Sequence, residues 1–464
     1  MRLLLPLLAL CAALGAAPPT NVVLLRMDDM GWRDPAFAGS KLAETPNLDR
    51  FVKQGAVLRN CYSSAPNCAP TRACLLTGQY TPRHGVFTVV DERYNPGQPH
   101  HRILSVKSSD EVPKDTVMLA EALKARGYAT TLIGMWNLGR GRKGSPGNPQ
   151  SRGFDQYLKP EDLGFEKDAY QDAKGRFLSD AFADEAVKFI EANKSKPFFL
   201  YYADHATHEP FDPPKALVEK YSRKSPGGKG AELAATVEAA DAAIGRVLDT
   251  LERLGLAKDT LVVFTSDNGG MPGEVSPLRG SKGLLYEGGI RVPGAVRWPG
   301  VIKPGLALDE PVLSMDFYPT ILAATGTPLP KGQPVDGVDL GPALRTGTPT
   351  GRKAIFWHFP CFIGRGEPMS MARAGDFKLI HKFDGPVFEL YDLKADPSES
   401  KDLSKSQPQK LAEMKKLLAD WQTAVKAPLA DKPNPAYDPK AEAPRGGGGG
   451  GSGGGKGGKG KKGK

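Results

Sequence analysis

Four short apolar runs, rich in β-branched and aromatic residues, each break off in a polar cluster, and this pattern limits the fold more than any other feature. The run 21–26 leads into Met27-Asp28-Asp29, and 129–133 leads into Gly134-Met135-Trp136-Asn137. The run 198–202 leads into Asp204, His205 and His208, and 260–265 leads into Ser266-Asp267-Asn268-Gly269-Gly270. Helical periodicity fills the intervals. It is clearest over 232–254, where Leu233, Val237, Ala240, Ile244, Val247, Leu251 and Leu254 share a face and Gly255 supplies a stop. Continuous apolar strands alternating with amphipathic helices predict an α/β fold around a mostly parallel sheet covered on both faces. Ligands of such sheets bind beyond the carboxyl ends of the strands, so all four clusters are expected to converge on one pocket.

The texture changes after about residue 349. Residues 370–373 and 377–381 flank Ala374-Gly375-Asp376 as a hairpin, 387–391 reads as a further strand, and a helix over 409–425 aligns Leu411, Met414, Leu417, Leu418 and Trp421. This predicts a smaller C-terminal α+β unit, an antiparallel sheet plus a helix. The expected organisation is a signal peptide at 1–17, a catalytic domain at 18–349, the α+β unit at 350–426, and a linker with a disordered Gly/Lys-rich tail at 427–464. Arg2, a short run of leucines and the small residues Gly15-Ala16-Ala17 are the parts of a secretory signal, and the run is too short to span a bilayer. No other stretch is long enough to be a transmembrane segment, so the protein is expected to be exported and soluble, periplasmic or extracellular.

Charge does not mark the body as a nucleic-acid binder. The formal net charge is +10, but the tail 445–464 holds one Arg, five Lys and no acid, which is six of the ten. Its spaced lysines suit weak polyanion binding as well as mere solubilisation. With Cys11 removed alongside the signal, Cys61, Cys68, Cys74 and Cys361 remain, open either to burial or to two disulfides in any of three pairings.

An Asp-Asp pair alone is as readily a solvated turn as a site. Asp267-Asn268 at a second strand end changes that reading, because four oxygen donors converging on one point suit a hard divalent cation, calcium or magnesium. With seven histidines in the chain, zinc fits less well. Residues 68–78 read as the start of a helix with Pro70 early in it, which sets Cys68 where the helix dipole favours an anion and Arg72 one turn on.

The phrase Cys68-x-Pro70-x-Arg72 followed by Leu76-Thr77-Gly78 resembles the signature of type I sulfatases, in the alkaline phosphatase superfamily. The resemblance runs along almost the whole chain. It continues through Thr45-Pro46-Asn47-Leu48-Asp49-Arg50, Thr265-Ser266-Asp267-Asn268-Gly269 and Leu278-Arg279-Gly280-Ser281-Lys282-Gly283. It extends to Glu287-Gly288-Gly289-Ile290-Arg291-Val292-Pro293 and to Gly375-Asp376-Phe377-Lys378-Leu379-Ile380 with Glu389-Leu390-Tyr391-Asp392-Leu393. It implies an alkaline-phosphatase-like sheet and a Cys68 oxidised by a formylglycine-generating maturation enzyme to the nucleophile. It further implies calcium held by Asp28, Asp29, Asp267, Asn268 and residue 68, an Arg72 that steadies the formylglycine, a Lys282 that binds the sulfate, and a His208 near the leaving oxygen. His205 carries less weight than His208. His84 reads as closing the turn after the nucleophile helix, His100-His101 as a solvated loop in preference to metal ligands, and His381 as structural.

Two departures stand out. Where the family has Gly-Lys-Trp-His-Leu-Gly, this chain has Gly134-Met135-Trp136-Asn137-Leu138-Gly139, so a cation and a proton acceptor are missing. Arg140 or Arg142 offers a substitute cation by proximity alone, against the favoured reading of solvated loop arginines. The second departure is His358-Phe359-Pro360-Cys361-Phe362-Ile363, where many relatives carry further histidines. The expected function is hydrolysis of a sulfated carbohydrate or an aryl sulfate. The alternatives are an impaired or non-catalytic relative that binds sulfated glycans and, less favoured, a phosphodiesterase of the same superfamily.

Overall fold

The first apolar run becomes the central strand of an eight-stranded sheet. We analysed a computed structural model that describes residues 20–89, 96–139, 144–145, 147–271, 273, 275–364 and 366–442; the segment 1–17, the tail 445–464, Arg140 and Arg142 lie outside the described residues. β1 (Asn21–Met27) is flanked by β6 (Phe198–Asp204) and β7 (Thr260–Ser266), both parallel to it, and every residue of the three is buried. Beyond β6 lie β4 (Ala129–Gly134) and β5 (Gln156–Leu158), also parallel. Beyond β7 come β8 (Gly294–Arg297), antiparallel to both its neighbours, then β2 (Ala56–Leu58) and β9 (Leu306–Leu308). Two short strands, β3 (Cys61–Tyr62) and β10 (Val312–Leu313), pair beside this sheet. The predicted large, mostly parallel sheet is therefore present, with the order β5-β4-β6-β1-β7-β8-β2-β9.

Strand periodicity sends alternate side chains of β1 to opposite cores. Val23, Leu25 and Met27 meet the helices Leu178–Ala192 and Ala231–Arg253, while Val22 and Leu24 face Leu119–Lys124 and Phe317–Ala324. The long helix buries Val237, Ala240, Ile244, Val247 and Leu251 as its periodicity requires, and Gly255 follows it at φ +71°. Because the central strands are parallel and in register, Met27 lies level with Asp204 and Ser266, and Gly134 with Ala203. That alignment gathers the four polar clusters at one edge of the sheet.

The C-terminal unit is an antiparallel sheet of β11 (Ala354–Phe359), β12 (Met369–Ala374), β13 (Phe377–Lys382) and β14 (Val387–Asp392), covered by the helix Pro408–Ala424. The helix buries Met414, Leu418 and Trp421, and Trp421 stacks on Phe356 with ring centroids 4.8 Å apart. The stretch expected to be a linker is instead pinned as far as it is described. Leu104 N donates to Lys432 O, Asn434 N donates to Arg102 O, and Asn434 Nδ2 donates to Gln98 O and His101 O. The prolines that suggested a linker leave its other amides free to pair. Cys61, Cys68, Cys74 and Cys361 are all free and buried, so burial and not bridging describes them. No helix among the described residues is long and apolar enough to cross a membrane.

A buried ion network ties this unit to β3 and to the short helix Glu287–Ile290 beside the main sheet. Lys378 Nζ lies 2.9 Å from Glu287 Oε1 and 2.7 Å from Glu399 Oε1, and Tyr62 donates to Glu287 Oε2 at 2.7 Å. Removing the cation leaves two buried carboxylates facing each other. Lys378→Met should therefore lower stability by about 3–5 kcal/mol, read as a fall in the urea midpoint and in Tm.

Candidate active site

The chain leaves β1 through a strained turn that aims two carboxylates at one point. Asp29 adopts φ +59°, a left-handed conformation that Asp tolerates better than most residues. Donation from Asp29 N to Asp267 Oδ1 (3.2 Å) and from Met30 N to Ser266 Oγ (3.0 Å) holds the turn against the end of β7. Thr207 Oγ1 donates to Asp28 O at 2.5 Å, fixing it from the β6 side as well.

The helix Cys68–Thr77 enters from the Val22/Leu24 face, and all ten of its residues are buried. Asn67 caps it, its Oδ1 accepting from Cys68 N, so Cys68 is the first helical residue as its sequence predicts. Gly78 ends the helix at φ +70°; a Cβ there would lie 2.7 Å from the Tyr318 ring, so both backbone and space call for glycine.

Three carboxylates and a thiol meet where these elements converge. One ligand atom from each of Asp28, Asp29, Cys68 and Asp267 falls within 4.8 Å of the others. Cys68 Sγ lies 3.5 Å from Asp28 Oδ1 and 3.9 Å from Asp29 Oδ1. The carboxylates divide their oxygens. Asp267 Oδ2 accepts from Arg72 Nε (3.0 Å), Arg72 Nη2 (2.8 Å) and Arg26 Nη1 (3.0 Å), and Asp28 Oδ2 accepts from Arg72 Nη2 (2.6 Å). Asp29 Oδ2 accepts from Lys282 Nζ (2.8 Å) and lies 3.6 Å from His208 Nε2. The Oδ1 atoms of Asp28 and Asp29 face the thiol. Asn268 Nδ2 donates to Asp29 Oδ1 (2.7 Å), whereas Asn268 Oδ1 is buried with no partner. An orphaned amide oxygen beside three buried carboxylates is the donor chemistry of a hard divalent cation, and the residues present fit one.

The field inside the cluster is strong. Burial works against the Asp28 carboxylate, but Arg72 and Arg26 outweigh it and hold Asp28 well below the usual range. Burial pushes the Cys68 thiol well above its ordinary value; Lys282 opposes this, and Asp28, Asp267 and Asp29 reinforce it. Unmodified Cys68 is thus held as a neutral thiol, a poor nucleophile.

Arg72, expected to steady residue 68, directs its donors to Asp28, Asp267 and Trp136 O, because carboxylates are far better acceptors than a thiol. His208 is the accessible histidine: its side chain is 41% exposed and its Nδ1 lies 2.6 Å from Glu209 O. His205 is buried against Tyr170 and Phe182, and burial brings its pKa down to about 4. Met135 is half-buried, and Asn137 is exposed at φ +54°. Their stretch serves the cluster through its backbone, since Met135 O accepts from Arg26 Nη2 at 3.1 Å and Trp136 O accepts from Arg72 Nη1 at 3.3 Å.

The other histidines are structural. His84 contacts Cys74 Sγ and Val86 N, His101 stacks on Phe362, His381 stacks on Phe388, and His358 is buried between Ser370 Oγ and Pro428 O. Arg26 is the residue that reading the sequence missed. Its signal was present, a lone charge inside an otherwise apolar strand run.

Comparison with known proteins agrees with this geometry. The sulfatase family pattern matches residues 20–327, and the pattern described as N-sulphoglucosamine sulphohydrolase, C-terminal, matches 280–424. Human arylsulfatase A is 32% identical over 454 residues, covering 88% of this chain and 84% of that protein. Rat N-acetylgalactosamine-6-sulfatase is 32% identical over 413 residues, covering 81% of this chain and 74% of that protein. The crystal structure of Ps i-CgsB superposes with a TM-score of 0.74 at 27% identity, covering 89% of this chain and 95% of that one. A family pattern spanning most of the chain, relatives above 30% identity along most of its length, and a shared fold agree: the chain belongs to the sulfatase family, whose members are sulfuric ester hydrolases.

Proposed function

We propose that this protein is an exported sulfatase that hydrolyses sulfate esters on carbohydrate, using calcium and a formylglycine formed at residue 68. The observation that carries the reading is the closed cluster of Cys68, three carboxylates and the orphaned Asn268 oxygen, bordered by Lys282 and His208. The substrate class is supported by a solved relative, Ps i-CgsB, seen in complex with k-i-k-neocarrahexaose, and by the names of the N-acetylgalactosamine-6-sulfatases.

Asp28, Asp29, Asp267 and Asn268 would hold the cation, with residue 68 as a further ligand. When bound, calcium lowers the pKa of the hydroxyl nucleophile that an oxidised, hydrated residue 68 supplies, and it neutralises charge on the sulfate. The protein's own side chains do the rest. Arg72 keeps Asp28 and Asp267 turned to one side, which fixes the donor geometry before substrate arrives. Lys282, mostly buried and 2.8 Å from Asp29, offers its remaining ammonium protons to sulfate oxygens. His208 can donate Nδ1–H to Glu209 O, which leaves Nε2 to exchange a proton with the leaving alcohol oxygen. Asn137 can hydrogen-bond but cannot take a proton, and Met135 can do neither through its side chain beyond weak sulfur contacts.

Those two residues favour a second reading, a metal-bearing relative that binds sulfated glycans without turning them over. Release of sulfate from an aryl sulfate by the full-length protein, expressed with the maturation enzyme, separates the two. Peptide mapping should find aldehyde at residue 68, and Cys68→Ala should lower turnover by about 10³-fold or more. A free thiol at residue 68, in cells that convert a control sulfatase, would contradict the proposal.

Calcium should stabilise the fold as well as the activity, because it binds the folded cluster and not the unfolded chain. Free calcium at about 100 times its Kd should add about 2.7 kcal/mol, so chelation should lower Tm and Asp267→Ala should abolish that response. Met135→Lys with Asn137→His returns a cation and a base. It should raise kcat on an aryl sulfate by about tenfold or more, and rapid-quench measurements should show a burst of alcohol in the wild type that the double variant lacks.

A further inference from the structure

Arg26 brings a charge to the cluster from inside the sheet. It sits in the central strand, level with Ala203 of β6 and Thr265 of β7, and is fully buried. Strand alternation puts it on the face shared by Val22 and Leu24, where an apolar side chain packs without loss. A buried guanidinium carries a desolvation penalty that an apolar residue would not, so its presence calls for an electrostatic reason. Anchoring Asp267 does not supply that reason, because Arg72 already binds the same oxygen through both Nε and Nη2.

What Arg26 adds is charge. Asp28, Asp29 and Asp267 carry three negative charges, and Arg72 and Lys282 return two of them. Arg26, 3.0 Å from Asp267 Oδ2 and 3.4 Å from Asp28 Oδ2, supplies the third. Its Nη2 holds the carbonyl of Met135, whose side chain is uncharged. With the carboxylates balanced from behind, a bound divalent cation leaves the pocket positive toward an anion.

We propose that Arg26 sets the charge of the sulfate site, standing behind the carboxylates in place of a cation at residue 135. The inference rests on the sulfatase reading above. It has a signature that a merely structural role lacks, because a fixed positive charge repels calcium and attracts sulfate. Removing that charge must strengthen one affinity and weaken the other, whereas a damaged fold weakens both.

The test is titration calorimetry on full-length protein: calcium into chelator-treated wild type, Arg26→Gln and Arg26→Lys, and inorganic sulfate into the calcium-loaded forms. Arg26→Gln keeps a hydrogen-bonding group and loses the charge. It should bind sulfate about tenfold more weakly and calcium several-fold more tightly. Arg26→Lys should keep both constants within about threefold of wild type. Parallel loss of both affinities in Arg26→Gln, or no change in either, overturns the proposal. If Arg26→Gln does not fold, Arg26→Lys decides: near-wild-type constants support the proposal, and lost sulfate affinity despite the retained charge overturns it. A wild type that binds neither calcium nor sulfate fails the sulfatase reading itself, and the inference falls with it.

Discussion

Two buried guanidiniums facing two buried aspartates are the interaction on which the rest of this structure depends. Charges removed from water are tolerable only when paired with opposite charge. Here Arg72 arrives on a helix and Arg26 on β1 to meet Asp28, just past the end of β1, and Asp267, just past the end of β7. The pairing takes one oxygen of each aspartate, and so determines which oxygens remain for a cation. The site is a product of ion pairing inside a sheet, not a set of side chains placed on a loop.

Parallel topology makes the convergence unavoidable. Strands that run the same way end at the same edge, and the register of β1 with β6 and β7 sets their last residues level. The chain has to turn sharply there. Asp29 does so in a left-handed conformation, held by bonds to Asp267 and Ser266, which places strain where the chemistry is. The C-terminal sheet meets Glu287 through Lys378, a few residues along the chain from Lys282, so the smaller unit braces the segment that carries Lys282 to Asp29.

Much of this was legible in the sequence because it depends on local pattern. Apolar runs ending in Asp28-Asp29 and Asp267-Asn268 announce both the strands and their functional ends, and Pro70 with Gly78 brackets the helix of Cys68. Other features depend on partners distant in sequence. Nothing local says that Asn434 will bond to Gln98 and His101, which is why a docked segment reads as a linker. Nor does spacing show that Arg72 bonds to Asp28 and Asp267, since that follows from three elements meeting. His205 and His208 share one loop, and only burial separates the packed ring from the accessible one. Arg26 was visible as an anomaly, but its meaning needed the third dimension.

The account turns on how the carboxylates divide their oxygens, and a crystal structure of the calcium-loaded protein tests that most directly. It should show one cation contacting Oδ1 of Asp28 and Oδ1 of Asn268, with Asp28 Oδ2 and Asp267 Oδ2 still bonded to Arg72 and Arg26. A cation bound through the Oδ2 atoms, with either arginine displaced from the cluster, would contradict it.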